Sequence, residues 1–300
     1  MNAQLKESEP RIGIFTDEPA HVYHQRRLDE ASASGLKQIL RCPAYFKHWV
    51  ENPDNDKTSP ALAFGSALHC AVLEPEVFAR KYIVLPADAP NYPTRRQWDA
   101  KKPSIDSIRA MDWWREFEAA NAGRVKLSAD DYEKVRRMAD SALSDPVARG
   151  LLMGGDRETS LRWVDEETGI ACKARCDLYV PGELMMDLKS CRDASKDGFG
   201  RAIDTYGYDL QGAHYVESVR ATGGSIKFFL FLAIESEAPY VAQVHKLGPR
   251  TEAAGWALRQ KAIKQQAECL KTGRWPGYAD SVIETDKPEW SFRKTEEFAA

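Results

Sequence analysis

The sequence lacks any apolar run approaching the roughly 18 residues that a membrane-spanning helix needs. Its first ten residues are polar and of mixed charge, and they contain no apolar stretch of the kind found in secretory signals. We therefore expect a cytoplasmic protein with no membrane partner.

Paired cysteines and a charge excess are also missing. The six cysteines include no C-x-x-C pair, which argues against a zinc knuckle or a disulfide framework and predicts reduced thiols. A formal net charge of −3 argues against a protein that coats nucleic acid through bulk electrostatics, so any DNA binding must be local. The chain is 43% hydrophobic over 300 residues, enough to bury a substantial core.

The first half of the chain shows mainly helical patterns. Residues 1–20 are expected to form a loose terminal arm. Ser32 or Ser34 then offers an N-cap for a helix that Pro43 ends. The remaining predictions for this half are a buried helix at 61–73, a long loop at 86–103, and helices at about 104–121 and 128–143, the last one capped by Ser128.

Strand patterns begin near residue 159. Three strands are predicted at 159–164, 170–180 and 184–189, with Gly169 supplying a left-handed position in the first connection and Pro181-Gly182 forming the second. A helix at 209–221, strands at 226–234 and 240–244, and a helix at 250–272 follow. This order predicts an α/β fold with a central mixed sheet flanked by helices. We expect one domain over 21–300, with a helical part at 21–150 and the sheet core at 151–275.

The chemistry of the chain is concentrated on the second and third of these strands. Asp187 and Lys189 lie at i and i+2 of a strand, so both side chains project from one face of the sheet. Asp177 lies on the preceding strand, and hairpin pairing would bring it close to Asp187. Two neighbouring carboxylates repel each other, and a hard divalent cation such as Mg²⁺ relieves that repulsion. The lysine could then lower the pKa of a water or neutralise charge on a phosphate.

A D-x-K triplet alone is more often a surface ion pair, but three further features accompany this one. His69 lies in an otherwise apolar helix, where it is either a buried core histidine or a metal ligand. Gln211 and Tyr215 are spaced i, i+4, so they face one way and suit positioning of the lysine or a phosphate; the alternative is ordinary hydrogen bonding on a helix surface. Glu158, just before the first strand, could orient a water or merely cap the strand.

These features occur in a characteristic order. They are Gly65-Ser66-Ala67-Leu68-His69, Arg175-Cys176-Asp177, Asp187-Leu188-Lys189-Ser190 and Gln211-Gly212-Ala213-His214-Tyr215. In this order they resemble the RecB-like branch of the PD-(D/E)xK nucleases, whose core is restriction-endonuclease-like. The flanking segments are similar to the C-terminal nuclease domain of the exonuclease VIII (RecE) family: Tyr23-His24, Ser32-Ala33-Ser34-Gly35-Leu36, Cys42-Pro43 and Gly273-Arg274-Trp275-Pro276-Gly277-Tyr278.

The resemblance implies a Mg²⁺-dependent exonuclease, with Mn²⁺ as a substitute, that degrades linear double-stranded DNA from its ends in the 5′-to-3′ direction. The product would carry single-stranded 3′ tails for phage-type recombination by strand annealing. It further implies a ring-shaped homo-oligomer, a tetramer rather than a trimer, and a RecT-like single-strand annealing protein as partner. We expect the metal ligands to be His69, Asp177, Asp187 and the carbonyl of Leu188. Lys189 would orient the attacking water, and Gln211 and Tyr215 would shape the pocket.

The same sequence features are compatible with other functions. A RecB-like endonuclease or nickase would use the same residues, and a catalytically silent domain would only bind DNA or a protein. Related nucleases with an iron–sulfur cluster carry one early and three late cysteines, whereas only Cys269 lies late here. An α/β protein of unrelated function is the least specific alternative.

Overall fold

The computed structural model of the protein describes residues 11–53 and 60–292. In chain order its elements are β1 (Gly13–Phe15), α1 (Ala20–Tyr23), β2 (Glu30–Ala31), α2 (Ala33–Arg41), α3 (Pro43–Glu51), α4 (Pro60–Leu73), α5 (Pro75–Lys81), β3 (Tyr82–Val84), α6 (Arg95–Trp98), α7 (Ile105–Ala120), β4 (Val125–Leu127), α8 (Ala129–Ser144), α9 (Pro146–Leu152), β5 (Asp156–Val164), β6 (Ala171–Val180), β7 (Leu184–Cys191), α10 (Lys196–Tyr206), α11 (Tyr208–Ala221), β8 (Phe228–Glu235), β9 (Ala242–Lys246) and α12 (Pro249–Thr272). Within the described residues, no helix has both the length and the apolar character of a transmembrane span.

A mixed sheet of seven strands forms the centre of the fold, as the order of predicted elements indicates. Its strand order is β1-β5-β6-β7-β8-β9, and the short β2 pairs with β6. Strands β5, β6 and β7 form an antiparallel meander, whereas β8 runs parallel to β7. A parallel neighbour requires a crossover connection, and α10 and α11 supply it. The fold is therefore the α/β arrangement of a mixed sheet flanked by helices that the sequence predicts.

Helices cover both faces of the sheet, and strand β8 shows the division. Its residues Phe229 and Phe231 belong to the core that includes residues of α2, α10, α11 and α12. The intervening Leu230 and Leu232 belong to the core that includes residues of α4, α5, α8 and α9. A strand buried on both faces has few polar positions, which explains the apolar sequence of this segment.

Helix starts agree with the capping residues in the sequence. The Ser32 side chain accepts a hydrogen bond from Gly35 N at 3.2 Å at the start of α2. Ser128 accepts one from Asp131 N at 3.0 Å at the start of α8. Pro43 separates two helices, because it occupies the first position of α3, where its missing N–H costs nothing.

Two sequence expectations are wrong in part, and a third concerns residues outside the described ranges. Residues 13–15 of the expected loose arm form β1, which pairs with β5 because its backbone completes the edge of the sheet. The expected loop at 86–103 contains the short helix α6, started by a capping box between Thr94 and Gln97. Residues 1–10 of the arm and residues 293–300 of the expected domain lie outside the described residues.

Helix α10 was not predicted. Phe199, Ala202, Ile203 and Tyr206 follow the spacing of one helical face, but the segment also contains Gly198 and Gly200, which lower helix propensity. The tertiary structure compensates for this: the Ser195 side chain accepts a hydrogen bond from Gly198 N at 3.1 Å, and Phe199 is fully buried in the core. All six cysteines lie within the described residues and are free thiols, as expected.

Candidate active site

Three carboxylates lie in one row across the sheet. The ladder pairs on either side of Glu158 set it opposite Asp177 on the neighbouring strand. The last ladder pair of β6 and β7 joins Leu178 to Met186, and one further step sets Asp177 opposite Asp187. Asp177 and Asp187 are buried, at 7% and 4% exposure, and Glu158 is half-buried. Such a row is unfavourable unless a proton or a cation compensates its charge.

Strands β6 and β7 separate at this row. Their ladder covers only residues 178–180 of β6, whereas β7 remains paired with β8 as far as Cys191. At the point of separation the main-chain N–H of Leu188 donates to Asp177 Oδ2 at 2.5 Å. A carboxylate thus replaces a strand carbonyl as the acceptor, and the opening gives side chains from the flanking helices access to the acids.

Glu158 has an unusual backbone conformation. Its φ of 49° lies in the left-handed region, which residues with a Cβ adopt rarely. It also forms no ladder pair in β5, although its neighbours on both sides do. Its carboxylate accepts a hydrogen bond from Arg175 Nε at 2.9 Å. Backbone strain of this kind costs about 1–3 kcal/mol and is often found at functional sites, so it supports a role for Glu158 beyond ending a strand.

His69 reaches the acids from helix α4. Its neighbours Ala67 and Leu68 are fully buried, which fixes the helix against the sheet. His69 Nδ1 lies 3.1 Å from Asp177 Oδ1. Ligand atoms of His69, Glu158 and Asp177 all lie within 4.8 Å of one another. Helix packing therefore brings together a histidine and two acids that are far apart in the sequence.

Lys189 and Gln211 hold the third acid of the row. The ammonium of Lys189 forms an ion pair with Asp187 Oδ2. Gln211, on α11, donates from Nε2 to Asp187 Oδ1 at 2.9 Å. Both carboxylate oxygens of Asp187 thus have a partner, and the amide of Gln211 contacts the acid rather than the lysine.

Tyr215 lies one helical turn after Gln211 on α11, and its side chain contacts strand β6. Its hydroxyl donates to the main-chain carbonyl of Arg175 at 2.7 Å. The adjacent His214 Nε2 lies 3.0 Å from the carbonyl oxygen of Lys173. Both carbonyls belong to the part of β6 that has separated from β7, so these two side chains replace the lost ladder. Tyr215 therefore supports the strand that carries Asp177, and its proposed place in the pocket wall stays a prediction.

The electrostatics of the site are those of compensated buried charges. Burial lowers the pKa of His69, but the Asp177 carboxylate outweighs it and raises that pKa to about 9. Burial likewise opposes ionisation of Asp177, yet His69 holds the pKa of this carboxyl below its ordinary value. Burial raises the pKa of Asp187, and the charge of Asp177 adds to the increase. The site thus favours a charged Asp177 and penalises a charged Asp187.

The residues present fit a divalent cation. The set of His69, Glu158 and Asp177 offers one imidazole nitrogen and carboxylate oxygens, a mixture that suits several divalent metals and does not by itself select Mg²⁺. Asp187 lies next in the same row, outside this close set, where Lys189 and Gln211 hold it. Leu188 contributes its N–H to Asp177, and its carbonyl remains a predicted ligand.

Three further residues at the site were missed from the sequence. Tyr208, at the start of α11, places its ring centroid 5.0 Å from Lys189 Nζ. Lys37, on α2, lies 5.4 Å from the same centroid. Lys37 falls in the segment between Ser34 and Cys42, but one lysine on a polar helix face gives no signal by itself. Arg175, the first residue of the Arg-Cys-Asp motif, also had no predicted role.

Comparison with known proteins identifies a matching family. A family described as "PDDEXK-like domain of unknown function (DUF3799)" matches residues 32–285. Among curated proteins, none matches the chain significantly in sequence.

Two solved structures resemble the chain to different degrees. A crystal structure from Eubacterium rectale, named "Putative exonuclease", aligns with a TM-score of 0.58 and 16% identity over 92% of this chain and 98% of that chain. At this identity the likeness shows the fold alone. A crystal structure of a phage-related exonuclease from Haemophilus somnus aligns with a TM-score of 0.28 and 16% identity, over 62% of this chain and 91% of that chain. A TM-score of 0.28 does not establish a shared fold.

Proposed function

This chain belongs to the family of PDDEXK-like domains, and from that premise we propose that it is a divalent-metal-dependent deoxyribonuclease. One observation carries the proposal. The buried acids Asp177 and Asp187 occupy neighbouring strands, with His69 against the first and Lys189 against the second. A protein that used this region only as a core would gain stability by removing one of the acids, so their presence together supports a chemical role.

The side chains have separate roles in the proposed hydrolysis of a phosphodiester. His69, Glu158 and Asp177 would hold the cation, with Asp187 next to them. A divalent cation bound there supplies a Lewis acid and lowers the pKa of a water. Lys189 offsets negative charge on the phosphate as it develops in the transition state. Gln211 keeps the Asp187 carboxylate in place.

The finer form of the proposal is a Mg²⁺-dependent exodeoxyribonuclease, with Mn²⁺ as a substitute. It degrades linear double-stranded DNA 5′-to-3′ and leaves 3′ tails for strand annealing. The sequence motifs similar to the exonuclease VIII family support this form, and so does the name of the Eubacterium rectale protein that shares the fold. A ring-shaped homo-oligomer, preferably a tetramer, and a RecT-like annealing partner belong to the same proposal.

One set of DNA substrates tests the activity. Purified protein is incubated with linear duplex labelled at the 5′ end or at the 3′ end, and with covalently closed circular duplex, in Mg²⁺ or in EDTA. We expect early release of the 5′ label from linear duplex in Mg²⁺, no cleavage of the circle, and no reaction in EDTA. Asp187→Asn provides the inactive control.

The other outcomes separate the alternatives. Cleavage of the closed circle would indicate an endonuclease or a nickase, and early release of the 3′ label would reverse the proposed direction. Binding of DNA without cleavage in either Mg²⁺ or Mn²⁺ would support the catalytically silent domain and contradict a nuclease. Equal cleavage by wild type and by Asp187→Asn would contradict the proposed site.

A further inference from the structure

Two ammonium groups from different elements meet at the ring of Tyr208. Lys189 Nζ lies 5.0 Å from the ring centroid and Lys37 Nζ lies 5.4 Å from it. Lys189 comes from strand β7 and Lys37 from helix α2, so tertiary packing alone brings them together. Gly207 makes this possible: its left-handed backbone, with φ of 61°, turns the chain from α10 into α11, and the stem of Lys37 packs beside it.

The positive charge of Lys37 is less well compensated than that of Lys189. Lys189 is paired with Asp187. Lys37 is half-buried, and in the described part of the chain it has neither a hydrogen bond nor an ion pair. Burial lowers the pKa of Lys37 to about 8, the charge of Lys189 adds to this decrease, and the carboxylates of Asp187 and Asp209 offset only part of it. The protein therefore compensates the charge of this half-buried ammonium incompletely, and a further anion beside it would be stabilising.

A groove extends from Tyr208 along the surface. It has a volume of about 570 Å³ and is lined by the end of β7 and by α10, including Ser190, Arg192, Arg201 and Tyr206. Asp193 also lines the groove and forms an ion pair with Arg201 at 3.2 Å. Tyr206 is 59% exposed, and its ring centroid lies 5.6 Å from that of Tyr208. Exposed aromatic rings next to cationic side chains are the usual means by which proteins bind the bases and phosphates of a single strand. The groove therefore begins at Tyr208, whose ring contacts the lysine of the D-x-K motif, and it has the chemistry to bind a nucleotide.

We propose that Lys37, Tyr206 and Tyr208 form a subsite beside Lys189 that binds the nucleotide next to the scissile phosphate. Lys37 binds the phosphate of that nucleotide, and the exposed ring of Tyr206 stacks on its base. The inference rests on the proposed function, because it assumes that DNA enters the site. It assigns Lys37 to substrate positioning, with no part in the bond cleavage.

Binding and cleavage are measured separately to test the subsite. Binding of a short fluorescent DNA duplex with a single-stranded end is followed by anisotropy in Ca²⁺ over a range of salt concentrations, and cleavage is followed in Mg²⁺. The variants are Lys37→Met, Lys37→Arg, Tyr206→Ala and Tyr206→Phe. Lys227→Met is the matched control, because Lys227 lies just before β8, at the other end of its ladder with β7, and pairs with the exposed Glu183.

We expect Lys37→Met to weaken binding about tenfold and to raise KM with little change in kcat. It should also reduce the slope of log affinity against log salt by about 0.7–0.9, the value of one lost phosphate contact. Lys37→Arg should retain most of the affinity and the slope. Tyr206→Ala should weaken binding about tenfold and Tyr206→Phe much less, because phenylalanine keeps the stacking surface. Lys227→Met should behave as wild type.

Several results would overturn the subsite. Unchanged affinity and salt slope in Lys37→Met would do so, and so would a decrease in kcat with KM and slope unchanged. Equal binding by Tyr206→Ala and Tyr206→Phe would remove the stacking role. Failure of the proposed function gives a different result. If wild type binds DNA without cleaving it and Lys37→Met still lowers the salt slope, the nuclease assignment is wrong but the DNA-binding subsite is supported.

Discussion

The main-chain N–H of Leu188 donates a hydrogen bond to the carboxylate of Asp177 across the point where β6 and β7 separate. This contact joins the two acidic strands where the ladder has ended. It keeps Asp177 beside Asp187, while Lys189 lies further along β7, which remains paired with β8.

The variant Asp187→Asn should lose activity and gain stability. Nuclease activity should decrease at least about 100-fold, because the residue lies between the metal set and Lys189. The metal-free protein should be about 1 kcal/mol more stable, because burial and Asp177 penalise the charge of Asp187 by more than its ion pair with Lys189 offsets. Urea unfolding in EDTA measures the second effect. Asp156→Asn, at an exposed position of β5, is the control, and a less stable Asp187→Asn protein would contradict the account.

Replacing a predicted metal ligand should change the metal requirement. Glu158→Gln and His69→Gln should each raise the Mg²⁺ or Mn²⁺ concentration for half-maximal cleavage at least about tenfold, because both lie in the set that fits a cation. Titration of activity with metal measures this. Glu183→Gln, a surface carboxylate paired with Lys227, should leave the titration unchanged. If Glu158→Gln needs no more metal than wild type, Glu158 is not a metal ligand and only holds Arg175 in place.

Tyr215→Phe should affect stability more than catalysis. The variant loses the hydrogen bond to the Arg175 carbonyl and leaves that carbonyl without its partner, at a cost of about 1–2 kcal/mol. Unfolding in urea measures the loss, and cleavage at saturating DNA should remain close to wild type. Tyr92→Phe, at an exposed ring, should change neither. A large decrease in kcat with unchanged stability would instead place the Tyr215 hydroxyl in the chemistry.

His214 should make folding sensitive to acid. Burial lowers the pKa of His214 to about 3 in the folded protein, far below its ordinary value. The unfolded chain therefore binds a proton that the folded chain does not. The contribution of His214 is fully present above about pH 6.5 and is lost as the pH falls towards 3. Between pH 6.5 and 5, wild type should lose about 2 kcal/mol more than His214→Gln.

Urea unfolding of both proteins at several pH values measures this difference. Glutamine can still donate a hydrogen bond to the Lys173 carbonyl, so the variant should fold. The exposed His21→Gln variant should follow wild type. Parallel pH profiles for wild type and His214→Gln would show that the buried imidazole is protonated in the folded protein.

Two glycines of the α10 segment should respond in opposite ways to replacement by alanine. Gly207→Ala should destabilise the protein by about 1 kcal/mol, because φ is 61° and the new Cβ would lie 3.3 Å from Lys37 Cε. Gly200→Ala should stabilise it by about 0.5–1 kcal/mol, because the position is helical and nothing lies within 4 Å. Thermal unfolding compares the two. Equal effects would contradict the role of Gly207 in the turn between α10 and α11.

The sequence determined those features that depend on near neighbours in the chain. Ser32 and Ser128 marked helix starts because a cap contacts the backbone within three residues. The meander of β5, β6 and β7 followed from alternating patterns and two turn glycines. Asp187 and Lys189 share a face because strand geometry fixes residues i and i+2. Their order with His69, Asp177 and Gln211 was also enough for a family resemblance.

The tertiary structure decided which distant groups meet. Glu158 joins the acids through a left-handed backbone and the β5–β6 register. Tyr215 contacts a strand carbonyl because β6 has separated from β7 at that point, and no local sequence pattern predicts this separation. Lys37 reaches Tyr208 only through the packing of α2 on α11. Local patterns fix the direction of a side chain, whereas its partners depend on register and packing between elements far apart in the sequence.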